Sequence, residues 1–149
     1  MQIISPDKVI RGKDAWKKSL PEIVNISKFP MLLGRSSKTR SLRSIISKDL
    51  SQLNLKVYNC ELEFDCCEDD LKRIYNLSVE QKCDSIIAAG GGKVLDAGKL
   101  LAEYLSVPCI TVPLSASTCA GWTALGNIYT TEGKFVKDIK LKSCPKILI

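Results

Sequence analysis

Apolar residues follow two alternating rhythms along the chain. Short continuous runs, Met31-Leu32-Leu33 closing at Gly34, Ser85-Ile86-Ile87-Ala88-Ala89 and Cys109-Ile110-Thr111-Val112, read as buried strands, with Val57-Tyr58 suggesting another. Between them, apolar positions recur at helical spacing. Leu42, Ile45, Ile46, Leu50 and Leu53 form one stripe. Leu71, Ile74, Tyr75 and Leu77 form a second behind the acidic helix start Glu68-Asp69-Asp70, and Val94–Leu105 carries a third. Strands alternating with helices of about 10–15 residues predict parallel βαβ units with right-handed crossovers. Ligands of such sheets bind outside the carboxyl ends of the strands, where Gly34 and Gly90–Gly92 fall. No element is assigned before Pro30.

After Pro113 the character changes to Ser, Thr, Ala and Gly. Thr130-Thr131-Glu132-Gly133 has the turn chemistry of a hairpin between Ile128-Tyr129 and Phe135-Val136. Lys146-Ile147-Leu148-Ile149 reads as the start of another apolar strand, and a chain that stops there is expected to be a fragment. No internal repeat or low-complexity tract is visible.

The densest signal is the apolar run of residues 85–89 entering Gly90-Gly91-Gly92, followed by an amphipathic helix. Glycines let the main chain approach an anion with no Cβ in the way, and the helix that starts there offers unpaired N–H groups and a positive dipole end. Two common phosphate signatures fail. A Walker loop counted back from Gly98-Lys99 has Lys93 in place of its first glycine and Leu100 in place of its hydroxyl residue. The pattern G-x-G-x-x-G started at Gly90 needs a third glycine at Leu95. A phosphate-binding turn remains the reading, against a bare strand-to-helix turn. Asp96 also suits a helix's first turn, and Lys99 could simply pair with it.

Composition narrows the classes. The chain has 149 residues, room for a single domain over 1–149 with a real core. No apolar run approaches the roughly 20 residues of a membrane span, and the N-terminus does not read as a signal peptide, so a cytoplasmic protein is expected. Net charge is +6, gathered around 38–48 and 134–146, without the aromatic-and-basic interleaving of a nucleic-acid surface. Seven cysteines, an odd number, read as reduced and mostly buried thiols. With no histidine and no Cys-x-x-Cys pair, no metal site is expected in this chain.

Gly90-Gly91-Gly92-Lys93-x-x-Asp96-x-x-Lys99, then Val112-Pro113-x-Ser115-Ala116-Ser117-Thr118, then Thr123-Ala124-Leu125-x-x-Ile128-Tyr129 resembles the iron-containing alcohol dehydrogenase superfamily, with glycerol dehydrogenases and relatives acting on hydroxy acids nearest. The likeness is strong from Ile86 to Phe135 and weak before Pro30. It implies an α/β fold: a Rossmann-like parallel sheet with flanking helices plus a β-hairpin, the N-terminal domain of a dehydroquinate synthase-like two-domain fold. It also implies an NAD(P)-dependent, metal-dependent oxidoreductase transferring hydride to or from a small alcohol, polyol or 2-hydroxy acid. Self-association stays open.

Carried over by position, the family's cofactor contacts fall on Gly90, Gly91, Gly92, Lys93, Asp96, Leu114, Ser115, Ser117, Thr118, Thr123, Leu125 and Tyr129. Cys119 stands where glycerol dehydrogenases place a substrate-touching Asp, and Cys-Ala-x-Trp-Thr is similar to relatives that reduce 2-oxo acids. Family members that use NAD often have an acid after the first strand. Here Arg35 follows Gly34, which favours NADP over NAD. The family's zinc or iron ligands, one Asp and two His, lie in a C-terminal domain, so no catalytic or metal residue is assigned here and the chain alone is expected to be inactive. A truncated, non-catalytic nucleotide-binding module is the alternative.

Overall fold

The computed structural model describes residues 4–116 and 118–149. Six strands form one sheet: β1 (Lys8–Val9), β2 (Pro30–Gly34), β3 (Tyr58–Glu61), β4 (Ser85–Gly90), β5 (Cys109–Pro113) and β8 (Ile147–Leu148), in the order β1-β8-β5-β4-β2-β3. Every pairing is parallel. The helices are α1 (Ala15–Ile26), α2 (Arg40–Gln52), α3 (Glu68–Glu80) and α4 (Gly92–Leu105). The remaining strands, β6 (Leu125–Tyr129) and β7 (Phe135–Lys140), pair with each other antiparallel as a separate hairpin.

Successive side chains on a strand point to opposite faces, and here each face has its own core. Met31, Leu33, Ile86 and Ala88 pack with Leu71 and Ile74 of α3 and Leu95 and Leu101 of α4. Leu32, Ile87, Ala89 and Ile110 pack on the other face with Ile23 of α1 and Ile46 and Leu50 of α2. This explains why β2, β4 and β5 are continuous apolar runs: both faces are covered. Each fully buried Ile or Leu stabilises the fold by about 1.5–3 kcal/mol, and β4, buried at every position, lies at the centre.

The N-terminal segment holds two elements that the apolar pattern did not announce. β1 has only two residues and is held by β8, and α1 carries Pro21 in its interior, which removes a backbone donor and reads as a break. Tertiary contacts override that cost. Ile23 is wholly buried, and the Trp16 indole N–H donates to Asp49 of α2 at 2.8 Å.

α4 is buried without interruption from Val94 to Ala102. On one side it lies so close to β4 that a Cβ at Gly98 would stand 2.4 Å from the Ala88 Cβ. The hairpin covers another side at Gly126, where a Cβ would stand 2.7 Å from Leu100 Cγ. The hairpin forms where the sequence predicts it and runs longer. Its turn closes through Thr130 N–H to Lys134 O at 2.8 Å, with Gly133 at φ +82°. The apolar terminal run forms β8, between β5 and β1. Among the described residues no helix is long and apolar enough to cross a membrane.

Candidate functional site

The glycine turn lies at the carboxyl end of the central strand and starts α4. A Cβ at Gly90 would stand 2.9 Å from the Val94 side chain, so the tight turn itself excludes one there. At Gly92 a Cβ would stand 2.9 Å from Thr118 Oγ1. Gly91 differs: it caps α4 with φ −85° and ψ −178°, and nothing lies within 4 Å of the place its Cβ would occupy. The leading N–H groups of a helix have no intrahelical acceptor, so this open position faces unused donors and the positive end of the α4 dipole.

Two hollows meet at the turn. One, about 250 Å³, is bounded by Arg35, Ser36 and Thr39 from the segment after β2 and by residues 90–94. The other, about 340 Å³, has Gly92, Lys93 and Asp96 of α4 on one wall. Thr118, Cys119 and Ala120 form a second wall, and Thr123, Leu125, Asn127 and Tyr129 close it from the hairpin side. Most residues singled out in the sequence therefore converge on one cleft from segments far apart in the chain. Leu114 and Ser115 line neither hollow, although the Leu114 N–H ties β5 to the turn through Gly90 O at 2.9 Å. Ser117 lies outside the described residues.

Charged groups inside the cleft are paired. Asp96 and Lys99 are 4% and 3% exposed and form a buried ion pair at 3.0 Å. The other Asp96 oxygen accepts from the backbone N–H and the side-chain amide of Asn127, each at 3.3 Å. Lys99 donates to Thr123 O at 3.2 Å, to Thr123 Oγ1 at 3.1 Å and to Leu125 O. The pair thus pins the hairpin to α4 and fixes Thr123 and Leu125 in the cleft wall.

Lys93 contacts the buried carboxylate of Asp65 and stands 4.4 Å from the centre of the Tyr129 ring. Tyr129 in turn meets Phe135 edge to face at 6.1 Å. Arg35 Nη1 reaches the same Asp65 at 3.7 Å.

All seven cysteines are free. Burial pushes the Cys66 thiol well up, with the Asp96 and Asp65 carboxylates adding to the shift. Burial pushes Cys109 up to about 12. Cys119 is exposed at the cleft. Among the described residues no group of three or more His, Cys, Asp or Glu could hold a metal ion.

Asp65, Asn127, Ser36 and Thr39 have no local signature in the sequence, since only folding brings them to the glycine turn. The sole available hint was position: Ser36 and Thr39 follow a strand's carboxyl end, where ligands of parallel sheets bind.

A doubly wound parallel sheet with a glycine turn and a helix N-terminus at its central strand defines the class: an open α/β domain with a cleft at the strands' carboxyl ends. The sequence model of the iron-containing alcohol dehydrogenase family matches residues 6–149, and the chain belongs to that family. It is glycerol dehydrogenase-like. A glycerol dehydrogenase of Escherichia coli is 29% identical over 147 residues, covering 99% of this chain and 40% of that protein. An uncharacterised oxidoreductase of Synechocystis is 46% identical over 85 residues, covering 57% of this chain and 22% of that protein. The crystal structure of glycerol dehydrogenase from Schizosaccharomyces pombe shares the fold with a TM-score of 0.84 at 24% identity, covering 99% of this chain and 37% of that one. This chain therefore spans less than half the length of these relatives.

Proposed function

We propose that the chain is the NAD(P)-binding domain of a metal-dependent oxidoreductase acting on a small alcohol, polyol or 2-hydroxy acid. The observation that carries this reading is the joining of two hollows at a glycine turn whose middle residue faces open space. A dinucleotide has two halves joined by a pyrophosphate, and this cleft has two chambers joined by an anion-accepting helix start. The residues present fit the group. Gly91, Gly92 and the N-terminal turn of α4 receive the pyrophosphate, and Arg35, Ser36 and Thr39 face the adenosine side. The nicotinamide side meets Thr118, Thr123, Leu125 and Tyr129. The cofactor, when bound, supplies the hydride chemistry; the chain's own residues bind it, orient it and exclude water from one side of it.

No acid stands on the segment after β2, and Arg35, 41% exposed along its side chain, lines the hollow. A fork of guanidinium donors favours a 2′-phosphate, which supports NADP over NAD. Cys119 lies on the substrate side, supporting a 2-oxo acid or its alcohol over glycerol. The described residues do not fit the divalent metal that such chemistry uses, so no step is derived through it, and on this reading the chain binds dinucleotide without turning over alcohol alone.

Calorimetric titration of the parent chain and of Arg35→Ala with NADPH and NADH tests the reading. The parent should bind both saturably and NADPH more tightly. Arg35→Ala should weaken NADPH about tenfold, equivalent to about 1.4 kcal/mol, and change NADH little. Equal losses would remove the preference for the phosphorylated cofactor. No saturable binding of either dinucleotide by the parent would overturn the assignment.

A further inference from the structure

We infer that Asp65 is a positioning residue for this cleft, holding Lys93 and Arg35 on either side of the glycine turn through one buried carboxylate. The inference rests on the dinucleotide-binding reading and deepens it.

Asp65 is 2% exposed, on the segment between β3 and α3. A carboxylate withdrawn from water needs charged or N–H partners, and Asp65 has both. Its Oδ1 accepts from the Cys66 N–H at 2.9 Å and lies 3.7 Å from Arg35 Nη1, while its Oδ2 takes the Lys93 ammonium. The segment is itself held firmly. Asp70 accepts from the N–H groups of Glu63 at 3.2 Å and Phe64 at 2.7 Å, and Arg73 binds Asp70 at 2.6 Å and Glu61 O at 2.9 Å. Cys66 O accepts from the Tyr129 N–H at 2.8 Å, which joins the segment to the hairpin.

The hairpin turn closes over the same pair. A Cβ at Gly133 would stand 3.4 Å from Asp65 Oδ2 and 3.5 Å from Lys93 Nζ. Lys93 is therefore confined between a carboxylate and an aromatic face, on the wall common to both hollows. Lysine and arginine are long and lose much rotamer freedom when fixed, and two like charges across one turn repel. One shared carboxylate resolves both problems. It keeps Lys93 beside the place where a pyrophosphate passes and Arg35 on the adenosine side, while being too buried to meet the ligand itself. Asp65 thus acts through Lys93 and Arg35.

The test is a double-mutant cycle read in dinucleotide affinity. Parent, Asp65→Asn, Lys93→Met and the double variant are titrated with NADPH and with NADH, and each is checked for folding by circular dichroism. Asp65→Asn and Lys93→Met should each weaken binding about tenfold. The double variant should lose clearly less than the product of the two single losses, because part of what the carboxylate does is done through the lysine. Additive losses, near a hundredfold in the double variant, or unchanged affinity in Asp65→Asn, overturn the inference and leave the dinucleotide site standing. A parent chain that binds neither dinucleotide overturns the site reading, and this inference with it. If Asp65→Asn does not fold, Asp65→Ser takes its place in the cycle, since its hydroxyl can still accept from the Cys66 N–H.

Discussion

Valine at Gly91 separates folding from binding more cleanly than any other single change. The backbone there is extended, φ −85° and ψ −178°, a region that β-branched residues favour, and no atom lies within 4 Å of the new Cβ. The folding cost is then confined to replacing a glycine N-cap by a poor one, on the order of 1 kcal/mol. Lower chain entropy in the unfolded state offsets part of it. Binding should suffer far more. An anion on a helix N-terminus accepts from backbone N–H groups at about 2.7–2.9 Å, and the valine methyls occupy that approach. Losing one charge-assisted hydrogen bond costs about 1.5–3 kcal/mol, so NADPH affinity should fall about ten- to a hundredfold. Urea unfolding and calorimetric titration on the same preparation read the two effects independently. A folded Gly91→Val chain that binds NADPH as the parent does would refute the assignment of this turn to the pyrophosphate.

Two further changes probe the frame around the turn. Gly98→Ala places its Cβ 2.4 Å from that of Ala88, an overpacking worth about 1–3 kcal/mol and only partly offset by the roughly 1 kcal/mol that alanine gains over glycine inside a helix. Urea unfolding should show a net loss, and a more stable variant would mean that α4 can withdraw from the sheet freely. Glu61, at the end of β3, is held below the usual carboxylate range by its hydrogen bond to Arg40, with partial burial opposing and Arg43 adding to the effect. A carboxyl whose folded value is lowered contributes stability above its unfolded value, near 4.3, and loses it as pH falls through the folded value. Because the Glu61 side chain is 42% exposed, screening limits the contribution to about 1 kcal/mol or less. Glu61→Gln should cost that much at pH 7 and clearly less near pH 3, below the unfolded value. An equal penalty at both would show that packing, not charge, holds the residue.

The sequence by itself determined the alternating α/β order, the two-faced central strands, the glycine turn and the hairpin, because each depends on residues close together in the chain. Apolar runs entering glycines and stripes at helical spacing are local patterns that the fold obeys. The same locality hid α1, where Pro21 weakens the helical signal and only burial of Ile23 and the Trp16 bond to Asp49 repay it. It hid β1, whose two residues are a strand only because β8 lies beside them. The cleft shows the same division. Gly91 could be named from the chain, but its open face depends on the segments around it. Asp96 and Lys99 could be seen as neighbours on a helix. That they are buried together and fasten the hairpin was decided by the tertiary structure. Asp65 reaches Arg35 and Lys93 across three separate segments. A buried charge is tolerated only where folding delivers its partners, and where they come from is a property of the packed chain rather than of its order.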